Sequence, residues 1–272
     1  MIRQFFEFEF IFFANTFTIS IQKTSTICSI KIIEYFYIPI LLLIISISNS
    51  LNAKEINELD LPNGYLRVKY ENGSFSQYLQ KLPLKSNHSI LSHNKVNLSS
   101  RYNSLGTIDK ELLFSDDLEQ CADFTMRLWA DFHKDSNKLN DLYLFKYSGD
   151  KFYFKNSKLT YQKYLRKSFA SSNSYSLKKG AGSINKTQLR PGDLFVQNET
   201  GGIGHVSIIL DHAKKSNEPD LYLIGFSFMP AQEMHIEKAP NSRGKNGWFT
   251  YLGFIEHLLE EYPYGTPVLR RF

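Results

Sequence analysis

The sequence predicts an α+β fold, with helices concentrated in the first part of the folded region and a mostly antiparallel sheet in the second. Three observations carry this. Cys121, Phe124, Thr125, Leu128 and Phe132 fall at i, i+3, i+4, i+7 and i+11, which is one buried helical stripe. After Arg190 the pattern changes to runs of alternating or continuous apolar residues broken by glycine-bearing turns. Aromatic residues make up 15% of the 272-residue chain, which favours a sheet-bearing fold over a helical bundle.

Leu61-Pro62-Asn63-Gly64 reads as a turn, Tyr65–Tyr70 as a short strand, and Gly73-Ser74 as the cap of a helix opening at Phe75. Residues 85–103, rich in Ser, Asn and His, read as an exposed connection. Asp116 is placed to cap the next helix, with Glu119 three residues later as its capping-box partner, so Cys121 sits one turn inside that helix. Leu142–Tyr147 and Lys151–Phe154 flank Ser148-Gly149-Asp150 as a hairpin, and Leu159–Phe169 forms a helix that ends in the loop Ala170–Ser174. Lys179–Gln188 is a polar connection. Arg190-Pro191-Gly192-Asp193 is a turn opening the strand Asp193–Gln197, and Gly201-Gly202-Ile203-Gly204 leads into a strand from His205 to Asp211. Runs at Leu221–Phe228 and Trp248–Leu252 complete the sheet.

Upstream, the chain changes character near residue 53. Tyr35–Ile47 holds thirteen uncharged residues, preceded by Lys31 and followed by Ser48-Asn49-Ser50-Leu51-Asn52-Ala53. A basic flank, a short apolar segment and a small residue at the cut describe a secretory signal, and the segment is shorter than the ~20 residues of a spanning helix. A retained membrane anchor is the alternative reading. Residues 1–30 read as translated upstream sequence, so residues 1–53 form an upstream segment with a signal peptide. Residues 54–272 are then one mature domain, exported to the periplasm or cell envelope, with no stable membrane span. Lysine and arginine (32) exceed aspartate and glutamate (27) by only five, and no basic cluster marks a nucleic-acid footprint.

Cleavage removes Cys28 and leaves Cys121 alone, which excludes an intramolecular disulfide. A lone thiol is either a buried packing residue or a nucleophile that needs a base. Among seven histidines, His205 begins a strand directly after the glycine-rich loop, where missing side chains leave access for a substrate. The competing reading is a strand-end histidine bonded to backbone. Ser227, Gln232, Glu233 and His235 are candidates to orient the imidazole, and Gln120 is a candidate oxyanion donor beside the thiol. Asp116, Asp117 and Glu119 crowd the same helix end and oppose thiolate formation. Gly180–Thr187 approaches a phosphate loop but carries Asn185 where the second glycine belongs, and the chain lacks H-E-x-x-H and paired C-x-x-C motifs. No cofactor or metal is called for.

At these residues the chain resembles a family of bacterial exported proteins known as domain of unknown function 4846. The resemblance runs from about Gly64 to Phe272. It rests on Ser74-Phe75 through Leu82-Pro83-Leu84, Leu118-Glu119-Gln120-Cys121-Ala122-Asp123 with Arg127-Leu128, and Ser174-Tyr175-Ser176-Leu177. Gly192-Asp193-Leu194-Phe195, Gly204-His205-Val206, Asp211 and Ser227-Phe228-Met229-Pro230-Ala231-Gln232 continue it. Relatives usually carry Gln-Ser-Tyr before Met-Pro-Ala-Gln, where this chain has Phe226-Ser227-Phe228. If that glutamine orients the histidine in relatives, it is lost here and Gln232 is the remaining amide. A looser resemblance, a cysteine on a helix followed by Gly-Asp-Leu-Phe and Gly-His-Val strands, is to the NlpC-type papain-like peptidases. It implies a papain-like core in which the Cys121 helix packs on the sheet, with Cys121 as nucleophile and His205 as base. The implied activity is hydrolysis of an amide or ester bond, with a peptide or peptidoglycan-like substrate. A catalytically silent envelope-binding module of the same fold is the alternative, and a purely structural or adhesive surface protein is a third.

Overall fold

Residues 54–272 are described by a computed structural model; the leader reading lies outside the described residues. The first strand, β1 (Leu66–Arg67), is followed by α1 (Phe75–Gln80), whose N-cap Ser74 accepts the Gln77 N–H at 3.2 Å as its sequence position predicts. β2 (Ser104–Thr107) comes next, then α2 (Cys121–Asp135), the hairpin β3 (Tyr143–Phe145) and β4 (Lys151–Tyr153), and the short α3 (Phe154–Ser157). α4 (Tyr161–Phe169), α5 (Ser174–Gly180) and β5 (Gly182–Ser183) lead into the sheet strands β6 (Leu194–Gln197), β7 (His205–Lys214), β8 (Leu221–Phe226) and β9 (His235–Glu237). β10 (Gly244–Lys245), β11 (Trp248–Thr250), α6 (Tyr251–Glu261) and β12 (Val268–Arg271) close the chain.

The main sheet has the order β10-β11-β8-β7-β6-β12-β5, with β1 on β7 and β9 joining β8 to β2. Every pairing is antiparallel. The α+β class and the antiparallel sheet are thus present. The turn ahead of β6 is type II: Pro191 sets the first central position and Gly192, at φ +99°, the second, closed by the Asp193 N–H to the Arg190 carbonyl at 3.1 Å. β12 then clamps the same corner, with Arg271 bonded to both carboxylate oxygens of Asp193.

β7 is the central strand and is buried on both faces. Val206, Ile208 and Leu210 join one core with Leu79 of α1 and with Phe124 and Leu128 of α2. Ile209 joins the other with Phe195, Phe249 and two residues of α6, Phe254 and Leu258. Helices therefore cover both faces, and a side chain's face of β7 decides which helix it meets. The register shifts between Ile209 and Asp211, a bulge that turns Asp211 inward onto Arg67 at 2.6 Å and Gln80 at 2.6 Å.

Several sequence readings are corrected. The Cys121 helix starts at Cys121, with Gln120 as N-cap and Asp123 as the capping-box partner, so Cys121 is its first residue and not one turn in. Asp116 and Glu119 do not cap it, because tertiary contacts take them. Asp116 pairs with Arg166, and Glu119 accepts from Leu113 N–H at 2.7 Å and Arg127 at 2.7 Å. The strand expected over Tyr65–Tyr70 is shortened to Leu66–Arg67. The run at Trp248–Leu252 ends as strand at Thr250, which caps α6 through its Oγ1. The first part of the Lys179–Gln188 connection belongs to α5, capped by Asn173.

Candidate functional site

A cleft of about 440 Å³ opens at the N-terminus of α2, bordered by Gln120, Cys121, Asp123, Asn173, Gly204 and Met229. Its position follows from local sequence. Asn173 caps α5 by accepting the Tyr175 and Ser176 N–H groups and donates through Nδ2 to the Gly201 carbonyl at 3.1 Å, which ties the glycine-rich loop to the helix. Asn198, just past the end of β6, adds a second tie by bonding Ser174 Oγ and the Gly202 carbonyl, each at 2.9 Å. The loop approaches so closely that a Cβ on Gly204 would lie 2.3 Å from the Gln197 carbonyl oxygen and 2.3 Å from Ser174 Oγ. Gly204→Ala should therefore destabilise the fold by about 1–3 kcal/mol, since backbone is what would have to yield. A thermal or urea unfolding comparison checks it.

Cys121 Sγ lies 3.9 Å from the Gly204 carbonyl oxygen and is 5% exposed. Burial pushes the thiol up to about 12, and the neighbouring Asp123 carboxylate adds to the effect. The helix N-terminus favours an anion, but here desolvation wins and the sulfur is a neutral thiol at physiological pH. Asp123 Oδ2 accepts the Gln120 N–H at 3.2 Å, while Oδ1 is buried with no partner. Burial raises this carboxyl well above the ordinary carboxylate range.

The structure does not join the expected dyad. His205 follows the β7 alternation onto the α6 face, and α2 with Cys121 packs against the opposite face. Its ring is stacked on Tyr262 at 4.9 Å and boxed edge-on by Phe226 at 4.9 Å and Phe228 at 5.4 Å. Nε2 is 3.0 Å from Ser207 Oγ, and Nδ1 has no hydrogen-bond partner. No hydrogen bond links either ring nitrogen to Cys121, and His205 is not part of the cleft wall. Complete burial, with the imidazoles of His235 and His257 nearby, lowers His205 to about 3.

None of the remaining candidates hydrogen-bonds His205. Gln232 Oε1 accepts from Tyr102 Oη at 3.2 Å, and Ser227 Oγ donates to the Gln232 carbonyl at 2.6 Å. Glu233 pairs with Lys85 at 2.7 Å, and His235 Nε2 meets Glu237 Oε2 at 3.2 Å. Gln120 does border the cleft, but its side-chain amide is held by Asp117, 3.1 Å from Oδ1. Sequence reasoning missed Asp123 and Asn173. The signals were there: Asp123 stands three residues after Gln120, as a capping box requires, and Asn173 stands before a helix-forming run.

Among the described residues no cluster of three His, Cys, Asp or Glu is arranged to hold a metal ion, and no helix is long and apolar enough to cross a membrane. Fold and site together define an α+β protein with a cysteine-bearing cleft at the start of the central strand of an antiparallel sheet covered on both faces. The chain belongs to the family described as Domain of unknown function (4846), whose model matches residues 56–157 and 145–271. No curated protein and no solved structure matches it.

Proposed function

We propose that the chain is an exported, catalytically silent binding module with a papain-like, NlpC-type core, holding a peptide-like ligand of the cell envelope in the Cys121 cleft. One observation carries the reading: Cys121 and His205 belong to opposite faces of the sheet, each in surroundings that keep it uncharged. A hydrolase needs a thiolate at working pH and a base in reach of it. Here the thiol is neutral and the imidazole hydrogen-bonds Ser207 instead. Phe226, where the family resemblance leads to an expectation of glutamine, meets His205 in an edge-to-face contact, so a hydrophobic wall and not an amide stands beside the ring. The cleft border supports ligand binding through the unpartnered Oδ1 of Asp123, next to the apolar Ile203 and Met229.

The test is alkylation of Cys121 by iodoacetamide across pH, in the wild type and in His205→Ala. An ordinary thiol near 9 differs from one near 12 by about a thousandfold in thiolate fraction at neutral pH, so labelling should be roughly that much slower than for a free cysteine. Because the folded thiol is raised, the rate should keep rising tenfold per pH unit beyond pH 9 with no plateau there. His205→Ala should leave the profile unchanged at pH 6. A plateau below pH 7 that disappears in His205→Ala, or turnover of peptidoglycan peptides that Cys121→Ala abolishes, would establish the hydrolase in place of the binding module.

A further inference from the structure

On the α6 face a second groove of about 260 Å³ is bordered by Arg101, Tyr102, Glu237, Lys238, Arg243 and His257. His257 is 6% exposed, and Arg243 Nη1 stands 2.8 Å from its Nδ1. A guanidinium has only donors, so Nδ1 accepts and the ring proton of the neutral imidazole is on Nε2. That Nε2–H is buried without a hydrogen-bond partner. Glu237 Oε1 stands 3.5 Å from it, a charge contact without a formed hydrogen bond, while Oε2 is engaged by His235 at 3.2 Å. Burial works against the Glu237 charge, yet the imidazoles of His235 and His257 hold its carboxyl below the ordinary range.

An unmatched buried donor beside a carboxylate oxygen with spare lone pairs is complementary to a group that both accepts and donates. A hydroxyl accepts from the first and donates to the second, which neither a bare anion nor a cation does. The rim adds a second requirement. Among the described residues Arg101 and Lys238 have no carboxylate within ion-pairing distance, whereas Arg243 is already paired with Glu260. Glu261 also borders the groove, so two unpaired cations face one unpaired acid.

We propose that this groove binds a small polyhydroxylated acid, a sugar acid or sugar phosphate, with one hydroxyl bridging His257 Nε2 and Glu237 Oε1 from the groove side and its anionic group at Arg101 and Lys238. The site is separate from the Cys121 cleft and does not depend on what that cleft holds.

Calorimetric titration of the full-length chain with D-glucuronate, D-glucose 6-phosphate, D-glucose and inorganic phosphate tests it. Saturable binding of glucuronate or glucose 6-phosphate is expected, the tighter one identifying the acid, with glucose and phosphate each weaker by about tenfold or more. Arg101→Ala with Lys238→Ala, both exposed, should weaken binding of the acid about tenfold and leave glucose unchanged. His257→Phe should weaken both. Should that buried substitution unfold the chain, the rim pair still decides the matter. No saturable binding of either acid, or an affinity unchanged by the rim double substitution, would overturn the assignment.

Discussion

Arg127→Ala should lower the unfolding free energy at pH 7 by about 3–5 kcal/mol, the range for stripping one partner from a buried ion pair. Arg127 Nη1 donates to Glu119 Oε1 at 2.7 Å and to the Glu111 carbonyl at 2.6 Å, and its Nε lies 3.4 Å from Asp131 Oδ2. Glu119 is fully buried, so the substitution leaves its carboxylate with the Leu113 N–H alone. Burial already raises Glu119 against the pull of Arg127, and losing that cation raises it further. The sign of the pH dependence follows. An acid whose folded value is raised destabilises the fold while it is ionised, so the deficit of Arg127→Ala should shrink as pH falls from 7 through the raised value. Arg127→Met combined with Glu119→Leu should recover much of the loss, because the double substitution removes both charges. Urea unfolding of the wild type and the two variants at pH 7 and pH 5 measures each outcome. If the double variant were no more stable than Arg127→Ala, the loss would lie in packing and not in an orphaned charge.

This ion pair also explains why the start of the cysteine helix was misread. Asp116, Asp117 and Glu119 have the composition of a first turn, and local rules assign them to capping. In the fold Glu119 anchors α2 through Arg127, Asp116 reaches Arg166, and Asp117 Oδ1 accepts the Ala231 N–H at 2.5 Å. These partners lie up to 114 residues away, and no local spacing announces them. Elements whose signals are local were legible: the Ser74 cap, the hairpin around Gly149, the type II turn at Gly192 and the alternation of β7. β2, β9 and β12, of three or four residues each, are defined by their long-range pairings and left no periodic trace.

The same division holds at the site. That Cys121 lies on a helix near its start, and that His205 follows a glycine-rich loop, was legible in their neighbours; that the loop closes over Cys121 was not. The alternation even assigned His205 to the face of Ser207 and Ile209. Which helix covers that face was not legible, because it depends on α2 packing against Val206 and Ile208 while α6, a helix the sequence reading missed, takes Ile209. A resemblance in motif order thus carried the two residues to adjacent strands and helices without fixing the rotation that brings their side chains together.

His205 gives the second large effect, an acid-labile stability that depends on a single ring. Its folded value is about 3 against an ordinary 6.5, because charging the ring inside the Phe226, Phe228 and Tyr262 box means desolvating it beside two further imidazoles. A histidine depressed in the fold contributes stability that is fully present above its unfolded value and is lost as pH falls toward the folded one. Between pH 6.5 and pH 3 the unfolded chain binds a proton that the folded chain refuses, at a slope of about 1.4 kcal/mol per pH unit from this group alone. The accumulated loss is on the order of 4 kcal/mol by pH 3.5. His133 and His212 are also lowered, burial being the largest cause for each, so the wild type should lose stability faster than one group dictates. The informative quantity is therefore a difference. His205→Phe keeps a flat ring against Tyr262 and removes the titrating nitrogens, so its stability curve should fall less steeply than that of the wild type by about 1.4 kcal/mol per pH unit between pH 6 and pH 4. Guanidinium unfolding at pH 6.5, 5.5 and 4.5 reads this directly. Parallel curves for the two proteins would mean that the imidazole reaches solvent, or a negative partner, in a way that the aromatic box does not allow.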